Sequence, residues 1–363
     1  MQVFNCEACG HLIYFESLQC VHCGAAQAFL PDQLRVGVLP AIPDSSPSNT
    51  SQTAPVARYR PCAHRYNISL CNFAIEASDP HHLCVSCRQT EWLPDASDPA
   101  NELRWAKIEV AKRRLYYTLA KLGLLGAGAP MAAQPRFSLL ADIPGAAPIM
   151  TGHYSGMITL NVVEADDDER AKRRLALREP YRTLIGHLRH ESGHFYWDQL
   201  IAYTPWLEPF RALFGYESYN YGEALQHYYG KDPFNTDWRQ NFISAYATSH
   251  AWEDWAETWA HYLHMVDLME TAASYHTSIT VPDIPSAGQQ LICNPLGPQP
   301  ADFDLMQQQW VPLTLLHNSL NRSLGHEDAY PFAISATAWR KLRFVHEVIS
   351  DYRNKSAAAL LAN

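Results

Sequence analysis

The sequence predicts an α+β fold, mainly helical, in which a small cysteine-rich module precedes a larger domain. Three observations predict it. Eight of the nine cysteines fall before residue 88, leaving Cys293 alone in the remaining three quarters of the chain. From residue 98 onward, long stretches carry helix start and stop signals with apolar residues at helical spacing. Only short segments, at 136–140 and 157–163, read as strands. The 363 residues suit about two or three domains. With 47% apolar and 18% charged residues, the chain can bury a large core and is not broadly disordered. A net charge of −9 argues against a general binder of nucleic acid or of anionic membranes.

The first module is expected over 1–97. Cys6-x2-Cys9-Gly10 and Cys20-x2-Cys23-Gly24 are two knuckles, and the glycine after each permits the turn that aims both sulfurs at one point. Two knuckles supply four thiolates for a tetrahedral structural zinc, the pattern of a zinc ribbon. Cys62, Cys71 and Cys84-x2-Cys87 hold one regular knuckle and predict a second four-cysteine zinc site. His64, His81 and His82 lie close by and are alternatives to a sulfur, though solvated loop residues are their plainer reading. Residues 36–56, rich in Pro, Ser and Thr, read as a flexible linker between the clusters. Residues 1–97 carry five arginines and no lysine against eight acids, net −3, so a phosphate-binding surface is not expected.

No basic stretch followed by an apolar one opens the chain, so no secretory signal is read. The least polar segment, Leu122 to Met150, contains Pro130, Pro135, Pro144 and Pro148, which rule out a spanning helix there. The expectation is a cytoplasmic protein without membrane contact, whose reduced thiols bind metal.

The second domain is expected over 98–363. Asp98 as N-cap, Pro99 at the first position and Gly123 as the stop predict a helix to Leu122. A loop with a strand at 136–140 follows, then the strand MITLNVV (157–163) after a glycine turn. Acids at 166–169 before bases at 172–174 match a helix dipole. Long helices are expected at about 180–203 and 238–269, an irregular stretch at 271–300, and helices at 302–324 and 335–352.

The chemistry concentrates in His190-Glu191-Ser192-Gly193-His194, an H-E-x-x-H pattern. On a helix, i and i+4 share a face, so both imidazoles can meet one zinc ion. Glu191 lies about 100° further round, placed as a base toward water and not as a third ligand. A histidine third ligand of the H-E-x-x-H-x-x-G-x-x-H kind is excluded, because 197 and 200 are Trp and Leu. The remaining source is WEDWAETWAHYLH (252–264), where Glu253 and Glu257 share a helical face beside a Trp252/Trp255/Trp259 stripe. Glu253 is read as the third ligand and Glu257 as acceptor for a ligand histidine N–H, with the swapped roles as the alternative. Tyr246 lies two turns before Glu253, on its face if the helix extends that far. Its hydroxyl is one candidate to stabilise an oxyanion, with His261 and His264 as competitors.

The sequence resembles the bacterial zinc-binding metallopeptidase family that carries an N-terminal zinc-ribbon domain. The resemblance covers nearly the whole chain. It rests on the Cys6/Cys9/Cys20/Cys23 ribbon, AKRRLYYTL (111–119), GMITLNVVEADD (156–167), HLRHESGHFYWDQL (187–200), WEDWAETWAHYLH (252–264), NRSLGHEDAYPF (321–332) and KLRFVHEVI (341–349). It implies a zincin-like catalytic domain whose Glu-x-x-Ala-Asp/Glu pattern supplies the ligand at its first position, here Glu253. It also implies that the strand before the active helix, here MITLNVV, binds extended substrate. The expectation is a zinc hydrolase acting on a peptide or protein, with one catalytic and one or two structural zinc ions. A non-enzymatic protein that binds partners through its ribbons is the alternative.

Overall fold

We describe the protein from a computed structural model, whose described residues are 1–39, 58–126, 134–177, 183–230, 237–280, 291–298 and 301–361. Three antiparallel hairpins build the first part: β1 (Phe4–Asn5) with β2 (Leu12–Ile13), β3 (Gln27–Leu30) with β4 (Arg35–Val38), and β5 (Tyr59–Pro61) with β6 (Ala74–Glu76). The second and third hairpins meet at the Phe29–Phe73 bridge. The linker expected at 36–56 begins inside β4, and its residues from 40 onward lie outside the described residues.

A sheet of order β7-β8-β10-β9 follows, from β7 (Thr90–Trp92), β8 (Arg136–Leu140), β9 (Gly152–Tyr154) and β10 (Met157–Asn161). One of its strands, β7, lies within 1–97 and pairs in parallel with β8. The MITLNVV strand is corrected in two ways. It ends at Asn161, whose side chain accepts from the Val163 N–H and turns the backbone into a 3₁₀ segment, Val162–Ala165. It is also an interior strand, parallel to β8 and antiparallel to β9, so its backbone is not open to an extended substrate. The edge on that side is β9.

Eight helices occur among the described residues: α1 (Pro99–Lys121), α2 (Asp167–Leu177), α3 (Leu184–Leu200), α4 (Leu207–Phe214), α5 (Tyr221–Tyr229), α6 (Ala251–Ser274), α7 (Phe303–Ser323) and α8 (Ala336–Leu361). Asp98 caps α1 by accepting from the Ala100 N–H, and Gly123 takes a φ of +73° just past its end. The helix expected at 238–269 begins later. His250 caps Trp252, and two separate 3₁₀ turns, Asp237–Gln240 and Tyr246–Thr248, precede it. Helix α3 is shorter than expected, with Pro180 outside the described residues, and α8 runs past 352. Helices α4 and α5 have no counterpart in the sequence reading.

The core sits where α3 crosses α6. Trp255 and Trp259 are fully buried there. A Cβ on Gly193 would stand 2.9 Å from the Ala256 Cα, so only glycine lets the two backbones come this close. The indole N–H groups of Trp255 and Trp259 donate to the Gly193 carbonyl (2.8 Å) and the Ser192 hydroxyl (3.1 Å), tying the helices at that level. The N-terminal module packs on α1 through the rings of Phe15, Phe29 and Phe73 around Tyr116 and Tyr117. It also reaches the C-terminal half of α6, where Gln2 N donates to Glu270 (3.1 Å) and Val3 N to the Ser274 hydroxyl (3.3 Å). Among the described residues no helix is long and apolar enough to cross a membrane.

Candidate metal centre

The cysteines form two compact sets, all with free thiols. In the first, Cys6 and Cys23 sulfurs lie 3.7 Å apart, as do those of Cys9 and Cys20. Gly10 and Gly24 each take a φ of +75° to close their knuckles. In the second, Cys62–Cys87 is 3.8 Å, and Cys71 lies 3.7 Å from both Cys84 and Cys87. A tetrahedral zinc with bonds of about 2.3 Å sets its sulfurs about 3.8 Å apart, whereas a disulfide needs about 2.05 Å. Both sets therefore fit zinc. The second is fully buried and the first partly open, with Cys23 exposed. His81 is exposed and pairs with Asp79, and the His64 ring packs on Trp105, so the second set is closed by sulfur alone.

The third cluster is His190, His194 and Glu253, all buried. Helix α3 places both imidazoles on one face, with ring centroids 5.0 Å apart. Helix α6 brings Glu253 up from its first turn. Glu253 Oε2 lies 2.9 Å from His190 Nε2, and Oε1 lies 3.4 Å from His194 Nε2. Bonds of about 2.0–2.1 Å to a tetrahedral zinc put N and O ligands about 3.3–3.4 Å apart. Glu253 Oε2 is buried with no hydrogen-bond partner of good geometry among the described residues. The three ligand atoms all lie within 4.8 Å of one another, a spacing that fits a metal.

Glu257 meets the opposite side of the same ring, with its Oε1 2.7 Å from His190 Nδ1. That contact fixes the tautomer with Nε2 free to face a metal. Burial opposes charge on Glu253, but His194 and His190 hold its carboxyl well below the usual range. Glu191 is similarly buried, and His187, His190 and His194 hold its carboxyl below the ordinary value. Its Oε1 lies 3.3 Å from His187 Nε2, while its Oε2 is buried with no hydrogen-bond partner among the described residues.

Tyr246 comes to the site from its 3₁₀ turn and not from α6, its ring 6.0 Å from that of His190. Burial pushes its phenol up, so it stays a neutral donor. His261 does not join the cluster. Two turns past Glu253, about 12 Å along the axis, its Nδ1 meets the Tyr330 hydroxyl at 2.6 Å and its ring meets Phe332. His264 Nδ1 is engaged by Arg189. Tyr221 escaped the sequence reading. Its hydroxyl donates to Glu253 Oε1 at 2.6 Å. The available signal was Asn220-x-x-Glu223, a helix-start pattern that does cap α5 through the Glu223 N–H.

Comparisons with known proteins agree with this geometry. The family model described as "Putative zinc-binding metallo-peptidase" matches residues 101–348, and a zinc-ribbon domain model matches 3–98. Uncharacterized proteins of Mycobacterium tuberculosis and Mycobacterium bovis are 36% identical over 357 residues, covering 97% of this chain and 96% of theirs. No solved structure matches the chain. The match over 101–348 takes in all three residues of the His/Glu cluster, the match over 3–98 takes in both thiol sets, and the chain belongs to this zinc-binding metallopeptidase family.

Proposed function

We propose that the protein is a zinc peptidase in which His190, His194 and Glu253 hold the catalytic ion and Glu191 is the base. The observation that carries this reading is the proximity of three ligand atoms to a buried carboxylate oxygen, Glu191 Oε2, that has no hydrogen-bond partner among the described residues. Zinc supplies Lewis acidity there, polarising a carbonyl and acidifying water. Glu191 takes the proton of the attacking water through Oε2 and returns it to the leaving amine. Glu257 orients His190 through Nδ1. Tyr246, with Tyr221 beside it, offers a phenol O–H to the oxyanion, a role supported by its ring lying 6.0 Å from that of His190. The free edge of β9 is the surface along which an extended peptide or protein substrate lies. The two thiol sets hold structural zinc, and the module they stabilise works by packing on α1 and α6, not by binding nucleic acid.

The test uses zinc-loaded protein on a mixture of internally quenched peptides and on unfolded casein. Glu191→Gln retains its zinc and loses turnover by at least about 10²-fold. Full turnover by that variant overturns the assignment of the base.

A further inference from the structure

We infer that His187 is a positioning residue for Glu191, clamped in turn by Glu164, and that this pair aims one oxygen of the base at the substrate side. The inference rests on the zinc-peptidase reading above. His187 lies one helical turn before Glu191 on α3, so the two side chains stack along one face. Its ring bridges two carboxylates, with Nε2 3.3 Å from Glu191 Oε1 and Nδ1 hydrogen-bonded to Glu164 Oε2.

Glu164 comes from a different element, the 3₁₀ segment that follows β10, and its side chain is only 2% exposed. Its other oxygen accepts from the Thr151 hydroxyl at 2.6 Å. That hydroxyl accepts from the Asn161 N–H at 3.1 Å, so the chain of contacts ends on the backbone of the sheet. Thr151, Glu164, His187 and Glu191 thus link the sheet to the base in four steps.

Glu191 is a flexible side chain with two equivalent oxygens, and a base needs one of them held toward water. Serving two carboxylates takes both ring protons: as the doubly protonated ring, His187 donates its Nδ1–H to Glu164 Oε2 and presents its Nε2–H to Glu191 Oε1. That fixes the carboxylate plane and leaves Oε2, the buried oxygen without a partner, for the proton transfer. The same N–H stabilises the ionised carboxylate. None of the three metal ligands depends on His187, so its loss should spare metal binding.

The experiment compares wild type, His187→Ala, His187→Gln and Glu191→Gln, each loaded with cobalt(II) at the His/Glu cluster. Zinc content, melting temperature and the pH dependence of the cobalt visible spectrum are measured, with kcat and KM on the quenched peptide that wild type cleaves best. In His187→Ala the metal content and melting temperature hold, and the spectral midpoint and the acidic limb of the pH profile move up by about 0.5–1 unit. In that variant kcat falls about 10- to 100-fold with KM little changed, and His187→Gln recovers part of each effect because its amide still donates. A spectral midpoint in His187→Ala equal to wild type, while Glu191→Gln differs, overturns the role of His187 and leaves the base intact. Loss of metal or a lowered melting temperature in both His187 variants also overturns it, as a purely structural role. Glu191→Gln matching wild type in spectrum and turnover instead removes the base, and the positioning role falls with it.

Discussion

Glu253 and Glu257 are four residues apart on one helix, yet they serve opposite nitrogens of one imidazole. Spacing alone put both on the right face and could not rank them, because rank depends on where His190 sits across the helix pair. His261, on a neighbouring line of the same helix, was equally plausible from spacing and lies two turns too far along the axis. Residues outside the two short motifs were less legible still: Tyr221 reaches Glu253 from α5, and His187 meets Glu164 only through the fold. Away from the centre, His346 illustrates a residue whose burial sets the acid response. It contacts the Tyr262 hydroxyl at 2.9 Å, and burial together with Arg343 and Arg353 pushes its pKa down to about 4. Its folded pKa lies below the unfolded value of about 6.5, so the stability it contributes is complete above that pH. It drains away as pH falls toward 4, by at most on the order of 3 kcal/mol. Thermal melts between pH 7 and 4.5 should fall less steeply in His346→Gln than in wild type, and equal slopes would contradict this account.

At the scale of elements, the geometry of the His/Glu cluster is a property of the α3–α6 crossing. The two middle positions of the H-E-x-x-H pattern are Ser192 and Gly193, and both serve that crossing. Ser192 takes the Trp259 indole N–H, and Gly193 leaves room for Ala256 and Trp259. In Gly193→Ala the new methyl group would meet the Ala256 Cα at 2.9 Å and the Trp259 Cβ at 3.2 Å. The helices must part, which costs about 1–3 kcal/mol and draws Glu253 away from both Nε2 atoms. Zinc competition titration should show at least about a tenfold loss of affinity at this site, with a lower melting temperature. Unchanged affinity would show that the crossing does not set the ligand distances. Helix α1 was legible from Asp98, Pro99 and Gly123 because caps are local signals. The start of α6 was not, because the residues from Trp238 to Ser249 carry helix-like spacing but spend it on two short 3₁₀ turns, and His250 then supplies the cap.

In the whole molecule, the N-terminal module packs on α1 and on α6, the helix that carries Glu253. Tyr117 of α1 donates to Glu270 of α6 at 2.8 Å, and Glu270 also accepts from Gln2 N, so one buried carboxylate joins three parts of the chain. Zinc bound by thiolates stabilises the folded module directly. Metal analysis should therefore return three zinc ions per chain in wild type and two in His190→Ala. A wild-type count of one or two removes either the second thiol set or the His/Glu cluster from this account. Strong chelation should unfold the hairpins of 1–98 and lower the melting temperature well beyond the effect of His190→Ala.

The sequence by itself determined which side chains gather as candidate metal ligands and of what kind: eight clustered cysteines in front, imidazole and carboxylate behind. It could do so because Cys-x2-Cys knuckles and an i, i+4 histidine pair are short-range geometry, dictated by the chain's own turns. The tertiary structure alone decided that MITLNVV is an interior strand, that Tyr221 reaches Glu253, and that Glu164 and His187 stand behind Glu191. Those facts arise from packing between residues tens of positions apart, where contact follows from the shape of the folded core and not from spacing along the chain.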